Sequence, residues 1–86
     1  MLLSVIILTY KVPYHVLLCV QSVERSIASI DAEIIVVDNA STDDSSAWIK
    51  EHHPDIVLIQ NDKNYGYAGG CNRGISHTKG SFILFL

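Results

Sequence analysis

Apolar residues fall into four short runs, each bounded by polar or glycine-rich segments. Leu3-Ser4-Val5-Ile6-Ile7-Leu8 is β-branched, of strand length, and lacks clean polar–apolar alternation. Such a run predicts a strand buried on both faces, as in a parallel sheet. Glu33-Ile34-Ile35-Val36-Val37-Asp38 repeats the pattern and ends abruptly in polar residues. Ile56-Val57-Leu58-Ile59 predicts a third strand, and Ser81-Phe82-Ile83-Leu84-Phe85-Leu86 a fourth. Between the first two runs, Val16, Val20, Val23 and Ile27 recur at spacings of 4, 3 and 4, one buried helical stripe. Pro13 suits the first turn of that helix. Ser41-Thr42-Asp43-Asp44 has a capping-box pattern and opens a second helix, which runs through Trp48 and Ile49 and stops before Pro54. A glycine-rich helix follows Tyr65, and Gly80 is expected to close it. The order is β-α-β-α-β-α-β: an α/β, Rossmann-like parallel sheet with right-handed crossovers, one domain over residues 1–86.

Composition narrows the class. At 49% hydrophobic and 17% charged residues, with a mean hydropathy of +0.28, the chain has the make-up of a soluble globular domain. Its apolar runs are far shorter than the ~20 residues needed to cross a bilayer, so no transmembrane segment is expected. Met1 leads into Leu2–Leu8 without a basic region or a cleavage-like site, which favours a strand over a signal peptide. Net charge is −3 and the six basic residues are scattered, which argues against nucleic-acid binding through phosphates. Cys19 and Cys71 lie in apolar segments and read as two reduced core thiols of a cytoplasmic protein. His52-His53 has no partner at metal-ligand spacing and reads as a solvated helix end. The chain stops inside an apolar strand, so the expectation is of a fragment whose domain continues past Leu86, with functional residues next.

Open parallel sheets bind ligands outside the carboxyl ends of their strands. Those ends are Thr9-Tyr10-Lys11, Asp38-Asn39-Ala40-Ser41 and the loop from Asn61 to Gly70. An aromatic ring, a carboxylate, several amides and a flexible backbone then open on one edge. That inventory suits a nucleoside: a ring to stack on the base, polar groups to read base edges and ribose hydroxyls. Each residue also has a structural use. Tyr10 can pack beneath the sheet edge, Asp38 can anchor the following loop, Ser41 and Thr42 can cap a helix, and Asn64 can serve a turn.

Asn64-Tyr65-Gly66-Tyr67-Ala68-Gly69-Gly70-Cys71-Asn72-Arg73-Gly74-Ile75 is neither a dinucleotide fingerprint nor a P-loop. It lacks G-x-G-x-x-G and follows the third strand, and no Gly-Lys-Ser/Thr occurs. Gly66-Tyr67-Ala68-Gly69 matches the bare G-x-x-G of a KH loop, but it is apolar and sits on an acidic chain. Four glycines cost a helix ~3–4 kcal/mol relative to alanine, so packing or a ligand must offset them.

Three segments together resemble family 2 glycosyltransferases. They are Ser4-Val5-Ile6-Ile7-Leu8-Thr9-Tyr10, Ile34-Ile35-Val36-Val37-Asp38-Asn39-Ala40-Ser41-Thr42-Asp43, and Asn64-x-Gly66-x-Ala68-x-x-x-Asn72-x-Gly74-Ile75. The third is similar to a rhamnosyltransferase-like branch. The resemblance implies the N-terminal half of a GT-A fold and inverting transfer of a sugar from a nucleotide diphosphate donor, UDP- or dTDP-linked, to a glycan or lipid-linked acceptor. It implies a donor-nucleotide site at Thr9, Tyr10, Asp38, Asn39, Ser41, Asn64, Gly66 and Asn72, with Tyr10 stacked on the base and Asn39 reading its N3–H. It also implies Mg²⁺ or Mn²⁺ on the diphosphate, with metal ligands and general base outside this chain, so residues 1–86 alone are expected to be inactive. Cytoplasmic placement follows, the inner face of the membrane included. Lys11 and Asp44 stand where the family favours Asn and Gly, and Asn39 replaces a frequent Asp. The competing expectations are a truncated, non-catalytic nucleotide-binding domain and a flavodoxin-like or receiver-type interaction domain. A receiver needs an acidic cluster where this chain has Thr9-Tyr10-Lys11.

Overall fold

The computed structural model describes residues 1–10, 13–39 and 45–86. Within them strands and helices alternate: β1 (Leu3–Thr9), α1 (Pro13–Ser26), β2 (Ala32–Asp38), α2 (Ser45–His52), β3 (Val57–Gln60), α3 (Gly66–Ile75) and β4 (Phe82–Phe85). Every strand pair is parallel, and the sheet order is β3-β2-β1-β4. The chain steps outward from β1 to β3, then returns to the far side of β1. Strand order thus reverses between β1 and β4, where open α/β sheets form a crevice at their carboxyl ends.

The two apolar faces are covered by different helices. Val5, Ile7, Ile34 and Val36 point to one side and pack with Val20 and Val23 of α1, Ile49 of α2, and Ile56. Ile6, Ile35 and Val37 point to the other side, flanked by Leu8 and Ile59. Burial on both faces is why β1 and β2 read as unbroken apolar runs. On the second face lies α3, with Gly70, Cys71 and Gly74 buried. A Cβ on Gly74 would stand 3.0 Å from Ile6 Cγ2 and 3.1 Å from Val37 Cγ2. The bare helix backbone therefore sits directly on branched side chains, and this packing offsets the helix-propensity cost of the glycines. At the sheet's edge, all four residues of β4 are exposed.

Two expectations need correction. Gly80 does not close α3, which ends at Ile75 with Ser76 as a right-handed C-cap. The hydroxyls of Ser76 and Thr78 serve the helix end instead, donating to the carbonyls of Arg73 and Ile75 at 2.8 Å each. Gly80 lies against β1, where its N–H donates to Ser4 Oγ at 2.8 Å. A Cβ there would come within 2.6 Å of the Ser4 backbone nitrogen, so close approach is what requires glycine. Ser4 in turn donates to Glu33 Oε2 at 2.6 Å, and the same oxygen accepts the Lys79 N–H at 2.7 Å. This polar clamp ties the entry of β4 to β1 and β2.

The second correction concerns the histidine pair. His52 is exposed, but the His53 side chain is only 10% accessible, with Nδ1 2.9 Å from Glu24 Oε1 of α1. It joins α2 to α1 and is no solvated end. Cys19 and Cys71 are both unpaired thiols, half-buried and buried respectively. The capping box at 41–44 and the loop position Lys11 lie outside the described residues.

Candidate functional site

Register brings the polar strand ends level. Thr9 pairs with Asp38, and Asp38 with Gln60. The ladder continues one residue further, because the Asn39 N–H donates to Thr9 O at 2.9 Å and the Asn61 N–H to Asp38 O at 2.8 Å. Thr9, Asp38 and Asn39 are each 2% exposed and Asn61 6%. Four polar residues are thus buried at the carboxyl ends of three adjacent strands, where a purely structural sheet would place apolar ones. Strand alternation divides them: Thr9 and Asp38 follow the side chains facing α1 and α2, while Asn39 and Asn61 follow those beneath α3.

On the α3 side the two amides form a relay. Asn39 Nδ2 donates to the Gly66 carbonyl at 3.0 Å, and Asn61 Nδ2 donates to Asn39 Oδ1 at 2.8 Å. A backbone carbonyl can only accept, so Gly66 fixes which end of the Asn39 amide carries the nitrogen. Asn39 then presents its oxygen to Asn61. Each end of the Asn39 amide makes one hydrogen bond within the fold, which gives Asn39 a task in holding the β3–α3 loop.

Gly66 itself has φ +74°, the left-handed region that glycine enters without strain. Asn64 makes the turn with it, accepting the Gly66 N–H on Oδ1 at 2.8 Å. Of the two uses foreseen for Asn64, the turn is the one in place. Beside it, the Tyr65 ring lies 4.0 Å from the Arg73 guanidinium and 5.2 Å from Lys63 Nζ, both cation–π contacts. Its hydroxyl donates to Asp62 Oδ1. That bond holds the Asp62 carboxyl below its ordinary value and pushes the Tyr65 phenol above its own.

On the other side, Thr9 Oγ1 is buried and has no hydrogen-bond partner among the described residues. Tyr10 follows it at the edge and is 43% exposed. Asn72 is exposed in the second turn of α3, and Ser41 falls outside the described residues. A separate groove of about 450 Å³ opens at the amino ends of the strands, lined in part by Met1, Ala32, Ile34 and Val57. It lies at the edge opposite the polar strand ends.

A family model described as glycosyl transferase family 2 matches residues 4–86. The chain belongs to that family. A low-salt glycan biosynthesis hexosyltransferase, Agl10 of Haloferax volcanii, is 36% identical over 76 residues, covering 88% of this chain and 22% of the relative. A PGL/p-HBAD biosynthesis glycosyltransferase of Mycobacterium tuberculosis is 30% identical over 86 residues, covering 96% of this chain and 33% of the relative. The chain therefore spans between about a fifth and a third of the length of these curated relatives. Among solved structures, S. aureus TarS (residues 1–349) superposes with a TM-score of 0.74 at 26% identity, covering 100% of this chain and 27% of that one. A mannosyltransferase from Pyrobaculum calidifontis, solved with GDP-Man and Mn²⁺, gives a TM-score of 0.65 at 27% identity, covering 94% and 25%. This member of the glycosyltransferase family 2 thus has the parallel α/β sheet expected of a GT-A fold.

Asn61 was expected at the edge only as the start of the loop to Gly70, and not among the donor-site residues. Its signal was positional, since it follows β3 at the level where Asn39 follows β2.

Proposed function

We propose that the carboxyl edge of this sheet binds the nucleotide of a nucleotide-diphosphate-sugar, and that the protein transfers the sugar, with inversion, to a glycan or lipid-linked acceptor. The observation that carries this is the burial of Thr9, Asp38, Asn39 and Asn61 at adjacent strand ends beside the exposed Tyr10. Tyr10 offers a stacking surface for the base, while Thr9 Oγ1 and the Asp38 carboxylate lie on the adjoining face for polar contacts. Asn39, Asn61, Asn64 and Gly66 hold the β3–α3 loop that borders the same edge.

The donor base is UDP or dTDP in this proposal, and the GDP-Man bound to the Pyrobaculum relative makes a guanine donor the comparison to run. In that relative Mn²⁺ accompanies the donor. Among the described residues here, no three His, Cys, Asp or Glu side chains group closely enough to hold such an ion. The described residues do not by themselves form a metal site. What they supply is binding and orientation, so residues 1–86 by themselves are expected to hold a nucleotide without transferring a sugar. Cytoplasmic placement belongs to the same proposal. Among the described residues, no helix is long and apolar enough to cross a membrane.

Titration of the chain with UDP, dTDP and GDP, followed by two-dimensional amide NMR, tests the assignment. The expected result is saturable shifts confined to Thr9, Tyr10, Asn39, Asn61 and Gly66. Shifts confined to the groove at the amino ends of the strands, or none with any nucleotide, would overturn it.

A further inference from the structure

We infer that Asn61 is a positioning residue for the nucleotide edge, acting by fixing the amide of Asn39 so that Asn39 can hold the Gly66 carbonyl; this rests on the donor-binding proposal above. Three facts lead there. Asn61 Nδ2 donates to Asn39 Oδ1 at 2.8 Å in a contact buried from water. Asn39 Nδ2 donates to Gly66 O at 3.0 Å, across 27 residues of sequence. Gly66 is the first residue of α3 and adopts φ +74°, so its carbonyl is where the loop turns into the helix.

Polarity makes the arrangement directional. The Gly66 carbonyl requires a donor, which leaves the Asn39 oxygen facing away from it. Only a donor can satisfy that oxygen, and Asn61 supplies it. The opposite amide atom, Asn61 Oδ1, is buried without a partner among the described residues. Asn61 is thus held in place by its Nδ2 bond and its own backbone bond to Asp38 O, and its orientation follows from Asn39 alone. With a non-donor at 61, the Asn39 amide faces an unsatisfied oxygen in a buried site, and its hold on Gly66 is no longer the favoured orientation.

Space around the relay is tight. A Cβ on Gly70 would meet Asn39 Nδ2 at 3.1 Å and Oδ1 at 3.3 Å, so α3 packs closely on the amide. A flipped amide would turn its oxygen toward the Gly66 carbonyl, so loss of the Asn61 bond is expected to move the loop as well as the side chain. The β3–α3 loop borders the edge where Tyr10 and Thr9 lie.

Two substitutions separate donation from space-filling. Asn61→Leu keeps the number and branching of side-chain heavy atoms and removes the side-chain N–H; Asn61→Ala removes both. Ile49→Val, in the core on the opposite face, provides a variant of altered stability with the relay intact. UDP affinity is read by calorimetry, and the relay is read from the Asn39 side-chain amide and Gly66 backbone amide resonances. The expected result is that both Asn61 variants move those resonances and weaken UDP binding at least tenfold, while Ile49→Val does neither. Wild-type affinity and unmoved resonances in Asn61→Leu, in a chain that binds UDP, overturn the role of Asn61. If the wild-type chain binds no nucleotide, the donor-binding proposal fails, and with it the functional part of this one, whatever the resonances do.

Discussion

Gly70 of α3 packs so closely on Asn39 at the end of β2 that a Cβ on the glycine would stand 3.1 Å from the amide nitrogen. The same Cβ would also collide with Leu8 Cδ1, but that methyl is the far end of a flexible side chain and can swing away. Asn39 cannot, because hydrogen bonds to Gly66 and Asn61 hold both ends of its amide. Gly70→Ala is therefore expected to destabilise the fold by about 1–3 kcal/mol, the usual range for overpacking a filled site. Urea unfolding measures this, and a wild-type midpoint would show that Asn39 has room to yield.

A sharper effect is expected at Gly80. Its neighbours are backbone atoms: a Cβ would lie 2.6 Å from Ser4 N and 2.7 Å from Leu3 C, neither of which can move without breaking the β1 ladder. Gly80→Ala should loosen the pairing of β4 with β1, which begins at Leu3 and Phe82. Hydrogen exchange reads this locally. The Phe82 N–H, bonded to Leu2 O at 2.9 Å, should exchange faster, while amides of β2 hold their protection. Uniform change across the sheet would mean that Gly80 matters to the whole fold and not to β4 alone.

These two glycines also mark how far the chain could be read in advance. β1 and β2 were legible because central parallel strands bury both faces, and Val5–Ile7 and Ile34–Val37 do so without alternation. Polar residues at Thr9 and Asp38-Asn39 announced an edge with a task. The direction of each amide was hidden, because Asn39 is oriented by a carbonyl 27 residues away. Gly80 looked like a helix stop, because local sequence cannot reveal a partner as distant as Ser4, 76 residues earlier. Asn61 could be placed at that edge, but not its pairing with Asn39, because only the register of β3 on β2 brings the two side by side.

The contact between Tyr65 and Asp62 gives an expectation for pH. Hydrogen bonding to Tyr65 lowers the Asp62 carboxyl, with the nearby Arg73 and Lys63 cations acting in the same direction. Hydrogen bonding to Asp62 raises the Tyr65 phenol. A lowered carboxylate contributes above its unfolded value, about 3.9, and the contribution is lost as pH falls through the lower folded value. A raised phenol contributes below its unfolded value, about 10, and that is lost as pH rises through the higher folded value. The contact is thus complete across neutral pH. Tyr65→Phe should return Asp62 toward the ordinary carboxylate range in an NMR titration, with little change in melting because the pair is exposed. An unmoved Asp62 titration would assign its shift to its backbone hydrogen bond and the two cations.

Tyr10 carries the most direct test of the edge. It follows Thr9 at the end of a central strand, 43% exposed, beside the point where strand order reverses between β1 and β4. If its ring stacks on the donor base, Tyr10→Ala should weaken UDP binding by about 1–3 kcal/mol, the range for losing one base–aromatic stack. Tyr10→Phe should keep nearly all the affinity, since stacking uses the ring face and not the hydroxyl. Both variants should unfold close to the wild-type temperature, because substitutions at such an exposed position seldom reach the core. Calorimetric titration with UDP separates the outcomes. Equal affinity in the wild type and Tyr10→Ala would remove the ring from the site and leave base recognition to Thr9, Asp38 and the β3–α3 loop. Equal loss in Tyr10→Phe would transfer the interaction from the ring to its hydroxyl.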